Sequence, residues 1–170
     1  MFLQAAIAAG LLLGGIGLHA QSSSPAPDPD DVAEGMRIYR TKADCQTCHG
    51  WAGDGRKMDT QMPDAPNLRT SRLTREGILF AIRCGRPGRG MPAFDRLAYT
   101  DAARCLGVTQ ADLKKNGQTL TSPAATLQPR EMEMIADFLF TKVIGQGPLD
   151  HAKCVEYWGG EEDVCAEFPK

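Results

Sequence analysis

The sequence has few large aromatic side chains. Only 6% of its 170 residues are aromatic, whereas 18 glycines and 11 prolines interrupt the chain. A small domain of this kind builds a thin hydrophobic core when it folds alone, because short chains bury a limited share of their surface. We therefore expect a loop-rich protein that packs around another group, is cross-linked, or both.

The sequence also lacks an excess of positive charge. Its formal net charge is −2 at pH 7, whereas domains that bind nucleic acid usually carry a basic excess. After residue 20 no apolar run is long enough to span a bilayer. The composition argues against a nucleic-acid partner and against stable membrane insertion of the mature chain.

The N-terminal segment resembles an export signal. Residues 5–18 form an uncharged apolar run, and a polar Ser-rich stretch begins after Ala20. This pattern is typical of a secretory signal peptide over residues 1–20. We therefore expect a periplasmic protein, exported across the bacterial inner membrane. The first four residues carry no Lys or Arg, so an uncleaved N-terminal membrane anchor stays open as the alternative.

The rest of the chain predicts helices joined by long loops. Residues 21–31 are rich in Ser, Pro and Asp, which predicts a flexible linker. Apolar spacing and capping residues predict four helices: one from Val32 into Cys45 capped by Asp30 or Asp31, one over 74–83, one over 108–116 capped by Thr109, and one over 128–144. No stretch shows the alternation of a strand, so the sequence predicts a mainly α fold.

The motif Cys45-Gln46-Thr47-Cys48-His49 carries the chemistry. CxxCH is the attachment motif of haem c, because two thiols on one helical turn reach two vinyl groups and the next imidazole meets the iron. A thioredoxin-like pair would need a βαβ setting, and a zinc site would need a second Cys/His pair at ligand spacing. A chance disulfide between Cys45 and Cys48 is the remaining alternative. The motif predicts one covalently bound haem c with its iron.

With further features, the chain from about Val32 to Ile144 resembles the class I c-type cytochromes. The features are Gly35 and Tyr39 on the first helix, the motif with the glycines at 50, 53 and 55 after it, the segment Pro66-Asn67-Leu68, the loop Gly90-Met91-Pro92, and the last helix with Ile135, Phe138 and Leu139. The resemblance implies a cytochrome c-like fold, with about three to five helices and long loops wrapped around the haem. We predict this domain over 32–148, with an insertion at 95–127 and a disulfide-stapled extension at 149–170.

The resemblance also assigns roles around the haem iron. Cys45 and Cys48 hold the haem, His49 and Met91 bind the iron, and the Pro66 carbonyl accepts the His49 ring proton. Pro63 competes with Pro66 for that contact. The other ligand candidates are His151 beyond the last core helix, Met58 and Met62 on a loop near His49, and Met132 and Met134 at helical core spacing. A His/Met ligand pair occupies both axial positions of the haem iron and raises its reduction potential.

Four further cysteines, Cys84, Cys105, Cys154 and Cys165, allow three pairings. We favour the local pairs, 84 with 105 and 154 with 165, since each closes a short loop. Seven arginines lie between residues 69 and 96, at positions 69, 72, 75, 83, 86, 89 and 96. They predict a basic rim around the Met91 loop that docks a protein redox partner with an acidic face, although an ordinary solvated surface is the alternative.

The sequence thus predicts a periplasmic electron-transfer protein that is not itself an enzyme. It would carry one electron between redox partners on a His/Met-ligated haem. An alternative is a dedicated subunit or tightly bound electron acceptor of one oxidoreductase, such as a quinoprotein alcohol dehydrogenase. A third hypothesis is an enzyme or ligand sensor with an open iron position.

Overall fold

A computed structural model of the protein describes residues 26–160 and 162–170. Six α-helices cover Pro29–Arg40 (α1), Gln46–His49 (α2), Arg75–Cys84 (α3), Gln110–Lys115 (α4), Pro129–Lys142 (α5) and His151–Trp158 (α6), and three 3-10 helices cover Leu68–Thr70, Cys105–Gly107 and Asp163–Glu167. Within the described residues no strand forms, and one isolated bridge pairs Arg86 with Met91. The prediction of a mainly α, cytochrome c-like fold is confirmed. The predicted signal peptide lies outside the described residues.

Helix α1 begins earlier than the sequence analysis placed it. Asp28, rather than Asp30 or Asp31, caps the helix, since its carboxylate accepts a hydrogen bond from the Asp30 N–H at 2.9 Å. Pro29 then occupies the first turn, where its missing N–H costs nothing. Residues 29–31 are therefore helical rather than part of the predicted linker. At its other end α1 stops at Arg40, before the CxxCH motif.

Helices α1 and α5 cross at very short range. A Cβ atom on Gly35 would lie 1.9 Å from the Met134 carbonyl oxygen, so only glycine permits this approach of the two backbones. Beside the crossing, the rings of Tyr39 and Phe138 pack with their centroids 5.4 Å apart, and both side chains are fully buried. The crossing forms the centre of the hydrophobic core. It brings Gly35 and Tyr39 against the last core helix, as the resemblance implied.

Helix α3 packs beside α5 and leads into the Met91 loop. The Thr74 side chain caps it, so the helix predicted over 74–83 begins one residue later, and Ile78, Leu79 and Ile82 are buried. The Arg75 guanidinium forms ion pairs with two carboxylates of α5, those of Glu133 at 2.6 Å and Asp137 at 2.7 Å, and these pairs fix α3 against α5. Helix α5 is the helix predicted over 128–144, and it is somewhat shorter than predicted.

The insertion at 95–127 forms a small core of its own. Buried Tyr99, Leu113 and the Cys84–Cys105 disulfide pack together there. The Tyr99 hydroxyl donates to the Cys84 carbonyl at 2.7 Å. Thr109 caps the predicted helix in this segment, which forms as α4. The insertion is thus fastened to the end of α3, where the Met91 loop begins.

The C-terminal extension contains a helix, α6, that the sequence analysis did not predict. Asp150 caps it, and the Cys154–Cys165 disulfide ties it to the last 3-10 helix. Both local disulfide pairs are thereby confirmed. The Tyr157 hydroxyl donates to the Trp51 carbonyl at 2.6 Å, and the two rings meet edge to face. The extension therefore covers the chain just after the CxxCH motif.

Candidate functional site

The CxxCH motif forms one helical turn that follows the end of α1 and is hydrogen-bonded to it. The Cys45 N–H donates to the Tyr39 carbonyl at 2.8 Å, and Asp44 between them turns the chain with a positive φ of 50°. The His49 N–H then donates to the Cys45 carbonyl at 2.9 Å. The motif thus places both thiols and the imidazole within one turn that main-chain hydrogen bonds hold in place.

The thiols of Cys45 and Cys48 are the two that form no disulfide, since the other four cysteines are paired. Burial raises the pKa of Cys45 to about 12, and it also raises the pKa of Cys48, with the nearby Asp44 carboxylate adding to both shifts. Thiols held protonated in this way are poor thiolate nucleophiles and poor zinc ligands. Within the described residues no cluster of His, Cys, Asp and Glu could hold a metal, which disfavours the zinc alternative.

His49 is oriented by the backbone of a different segment. Its Nδ1 lies 3.1 Å from the Pro66 carbonyl oxygen, so the Nδ1–H donates there and Nε2 stays available as a ligand atom. Burial lowers the pKa of His49, partly offset by this hydrogen bond, which favours the neutral ring that binds metals. Pro63, the competing residue, instead lies against Gly90, where an added Cβ would be 2.6 Å from its ring.

A tight turn brings the Pro66 segment to the motif. Gly55 has a φ of 83°, and its N–H donates to the His49 carbonyl at 2.8 Å. A Cβ on Gly55 would lie 3.2 Å from the Ala65 carbonyl oxygen, so a larger residue would push the two strands of chain apart. The Leu68 N–H also donates to the Gly53 carbonyl at 2.7 Å. These bonds hold Pro66 in register with His49.

Met91 lies on the loop that follows α3, and the loop's base is fixed. The Arg86 N–H donates to the Met91 carbonyl at 2.9 Å, and buried Phe94 donates its N–H to the Ile82 carbonyl at 3.1 Å. Gly85, with a φ of 62°, passes so close to Pro92 that a Cβ would lie 2.5 Å from that residue's carbonyl group. The Met91 side chain itself is half-buried.

The other ligand candidates differ in their surroundings. Met132 is 2% exposed in the main core, and Met134 packs against the same core. His151 is the first residue of α6. Met58 and Met62 are exposed on the loop after the motif, by 60% and 37%. Met132 and Met134 thus pack in or against the hydrophobic core, which leaves them less suited to bind the iron.

Residues 30–104 match the family model described as Cytochrome C oxidase, cbb3-type, subunit III. This chain contains a c-type cytochrome domain. The matched segment begins in α1, includes the CxxCH motif and the Met91 loop, and ends before α4. The comparison with curated proteins and the comparison with solved structures gave no match.

The cytochrome domain binds haem c covalently through CxxCH, with iron at the centre of the haem. The residues present fit that group: the motif offers two unpaired thiols, and the His49 imidazole keeps Nε2 available beside them. When bound, haem c supplies a one-electron iron couple whose potential depends on the axial ligands and on the hydrogen bonds around them. The domain is an electron carrier rather than a catalytic enzyme.

The arginine-rich segment is less uniform than the sequence suggested. Arg69 is 2% exposed and Arg75 is paired with α5, so neither belongs to an open basic rim. Arg72, Arg86, Arg89 and Arg96 are exposed. A charge count along the chain cannot separate these cases, since burial depends on tertiary packing.

Trp51 is the residue near the motif that the sequence analysis missed. Its ring contacts those of Tyr157 and Trp158 in α6 at centroid distances of 5.2 and 5.3 Å, and Phe168 packs on it at 6.1 Å. The sequence feature that could have indicated this contact is the group of aromatic residues in the extension, because an unpacked tail has no core in which to bury them.

Proposed function

We propose that the protein is an exported one-electron carrier in which His49 and Met91 bind the haem iron. Cys45 and Cys48 supply the two thioether bonds to the haem. The observation that carries the proposal is the 3.1 Å contact between His49 Nδ1 and the Pro66 carbonyl, since it fixes the tautomer that presents Nε2 to a metal. Protein redox partners follow from the cytochrome domain.

Met91 is the methionine best suited to be the second iron ligand. It is half-buried on a loop whose two ends are hydrogen-bonded to α3, whereas Met58 and Met62 are exposed on the loop that follows the CxxCH motif. With a thioether in the sixth position the iron has no vacancy for oxygen or peroxide, so the site would transfer electrons only.

An absorption spectrum of the purified protein, oxidised and reduced, tests this ligation. We expect a low-spin haem with the weak near-infrared band of a methionine–iron bond in the oxidised state. A high-spin spectrum, with carbon monoxide binding that displaces no ligand, would instead support the hypothesis of an enzyme or sensor with an open iron position.

Export is supported by the two disulfides and by the apolar run at residues 5–18. Disulfides persist in oxidising compartments such as the bacterial periplasm. Among the described residues no helix is long and apolar enough to cross a membrane. Cell fractionation and the intact mass of the purified chain test the proposal. A mature start near residue 21 supports a cleaved signal peptide, and a full-length chain in the membrane fraction supports the anchor.

A second candidate function is a dedicated subunit of one oxidoreductase. The matched family is described as a subunit of an oxidase, and the part of the insertion after residue 104 and the extension add surface beyond the matched segment. Purification from the native membrane and periplasm at moderate salt distinguishes the two candidates. A stoichiometric large subunit that stays bound through gel filtration favours the subunit role, and a monomeric red protein favours the free carrier.

A further inference from the structure

The C-terminal extension contacts the chain on both sides of the CxxCH motif. Before the motif, Arg40 at the end of α1 places its Cζ 4.2 Å from the centroid of the Trp158 ring. After the motif, the Trp51 ring packs against Tyr157 and Trp158 at centroid distances of 5.2 and 5.3 Å. The extension lies beyond the segment 30–104 that matches the family model, so its role has to be inferred from these contacts.

Tyr157 reaches the main chain of the segment that follows His49. Its hydroxyl donates to the Trp51 carbonyl at 2.6 Å, and the residue is only 6% exposed. Its ring packs on Phe138 of α5 at a centroid distance of 6.1 Å, and a disulfide ties its helix to the last 3-10 helix. The donor is therefore held by the core on one side and by a cross-link on the other, so its hydrogen bond restrains Trp51.

A second buried phenol holds the carbonyl one residue earlier. The Tyr39 hydroxyl donates to the Gly50 carbonyl at 2.9 Å, and its ring packs on the same Phe138 at 5.4 Å. Gly50 has a φ of 78°, and a Cβ there would lie 2.8 Å from the Arg56 carbonyl oxygen, so the two ends of this turn already touch. One phenol from the first helix and one from the extension thus restrain consecutive residues directly after His49.

These restraints act on the turn that sets the neighbour of the His49 ring. Further along the same turn, the Gly53 carbonyl accepts the Leu68 N–H at 2.7 Å. That bond fixes the segment in which the Pro66 carbonyl oxygen lies 3.1 Å from His49 Nδ1. A shift of Trp51 moves this turn, and with it the distance between the ring proton and its acceptor.

We propose that Tyr157 is a positioning residue for His49, and that its hydrogen bond to the Trp51 carbonyl makes the extension part of the haem site. The inference rests on the proposed function, because it takes His49 as an iron ligand. A closely held Pro66 carbonyl makes the ring the more basic ligand. A more basic ligand favours ferric iron, so this bond holds the reduction potential lower than it would be without the bond.

Tyr157→Phe tests the role, since it keeps the aromatic ring and removes only the hydroxyl. Exchange of the His49 Nδ1 proton with solvent is followed by NMR in the reduced, haem-loaded protein. We expect exchange to be about fivefold faster, the factor that one ordinary internal hydrogen bond contributes. A redox titration should show a higher potential. An unchanged exchange rate, or a potential that falls, would overturn the proposal.

Tyr99→Phe is the matched control. Tyr99 is 5% exposed, and its hydroxyl also donates to a carbonyl, that of Cys84, at 2.7 Å. It belongs to the small core of the insertion rather than to the contacts around the motif. It should lower stability in urea by an amount comparable to Tyr157→Phe and leave the His49 exchange rate unchanged. Equal acceleration in both variants would show that general loss of stability drives the exchange, and would refute the positioning role.

The wild-type protein separates this result from the proposed function. The ring current of the haem moves the NMR signals of an axial ligand far from their usual positions, so His49 signals shifted in this way show that it binds the iron. Unshifted His49 signals would refute the ligation itself. Shifted signals in all three proteins, with equal exchange rates, would leave the ligation standing and refute the role of Tyr157.

Discussion

At the scale of single residues, the His49 imidazole is positioned by main-chain atoms from outside its own helix. The Pro66 carbonyl accepts its ring proton, and the Gly55 N–H holds the His49 carbonyl. Main-chain partners cannot rotate away as side chains can, so the ring's orientation depends on the path of the chain. Substitutions that move residues 55–66 should therefore act on the iron through His49.

Met91→Ala tests the proposed sixth ligand. Without the thioether the iron should become high-spin and the reduction potential should fall, because a soft sulfur ligand stabilises ferrous iron. The measurements are the oxidised absorption spectrum and a redox titration. Met58→Ala is the control, since Met58 is 60% exposed on another loop. An unchanged spectrum in Met91→Ala, with a changed one in Met58→Ala, would transfer the ligand role to Met58.

At this scale the sequence predicts the role of a local motif better than it predicts which residues surround a side chain in the fold. The CxxCH spacing specifies its own local turn, and that turn forms as α2. The choice between Pro63 and Pro66 as the neighbour of His49 depends on a loop conformation that glycine torsions set, and the structure puts Pro66 there. Arg69 reads as a surface charge in the sequence, yet tertiary packing buries it.

At the scale of elements, the crossing of α1 and α5 organises the core. The two backbones touch at Gly35, and the buried rings of Tyr39 and Phe138 fill the space beside them. The Tyr39 hydroxyl also donates to the Gly50 carbonyl at 2.9 Å, which connects this crossing to the residue after His49. The Tyr39 side chain thus joins the hydrophobic core to the CxxCH segment.

Gly35→Ala measures the closeness of that crossing. The added Cβ would lie 1.9 Å from the Met134 carbonyl oxygen, so the helices must separate. We expect a loss of about 1–3 kcal/mol or more in the free energy of unfolding, the usual cost of overpacking. Urea unfolding of the haem-loaded protein gives the value. Gly160→Ala is the control, because a Cβ at Gly160 meets nothing within 4 Å. Equal stability of the two variants would contradict the close crossing.

The two disulfides should have separable effects. Each pair changed to serine should cost about 3 kcal/mol of stability in the chain-entropy model, since the pairs span 21 and 11 residues. Only the Cys84/Cys105 double variant should weaken the methionine–iron band, because that bridge holds the base of the Met91 loop. Only the Cys154/Cys165 double variant should expose the extension to proteolysis. Identical spectra in both variants would contradict the first assignment.

The helices themselves were largely predictable, and their ends less so. Thr109 caps the helix that begins after it, as its sequence context indicated, whereas Thr74, predicted as the first residue of its helix, is instead the cap. The start of α1 shifted because Asp28 could cap it with Pro29 in the first turn. Helix α6 was missed because it is short and buries only Cys154 and Tyr157, so its stability depends on the disulfide and on Trp51.

At the scale of the whole molecule, the exposed arginines of the segment 69–96 are Arg72, Arg86, Arg89 and Arg96, and Arg86 and Arg89 lie on the loop that carries Met91. The tail beyond residue 160 is rich in acidic residues. A protein with a net charge of −2 thus presents locally basic and locally acidic regions. We expect such asymmetry to orient a charged partner before contact and to raise the association rate at low ionic strength.

Arg86→Glu combined with Arg89→Glu tests this orientation. Electron transfer to an acidic protein partner should slow markedly at 10 mM ionic strength and only slightly at 500 mM, because salt screens exposed charges over ~30 Å and ~4 Å respectively. Stopped-flow reduction kinetics give the rates. Arg37→Glu with Arg130→Glu is the charge-matched control on α1 and α5. If both pairs slow transfer equally, net charge rather than a docking surface is responsible.

The overall fold followed from a few local features, while its extension did not. The helix periodicities and the CxxCH motif together predicted the mainly α domain around a haem. The way the extension returns to cover Trp51 involves contacts over about a hundred residues of sequence, and no local pattern encodes such a contact.

The pairing of α1 with α5 also has a consequence for the order of maturation. Helix α1 has 12 residues, which is marginal for an isolated helix, and its partner begins only at Pro129. Until α5 has emerged, α1 therefore has nothing to pack against, and the turn that follows it stays open. We expect Cys45 and Cys48 to be reachable for haem attachment during that interval, and to become enclosed once α5 arrives.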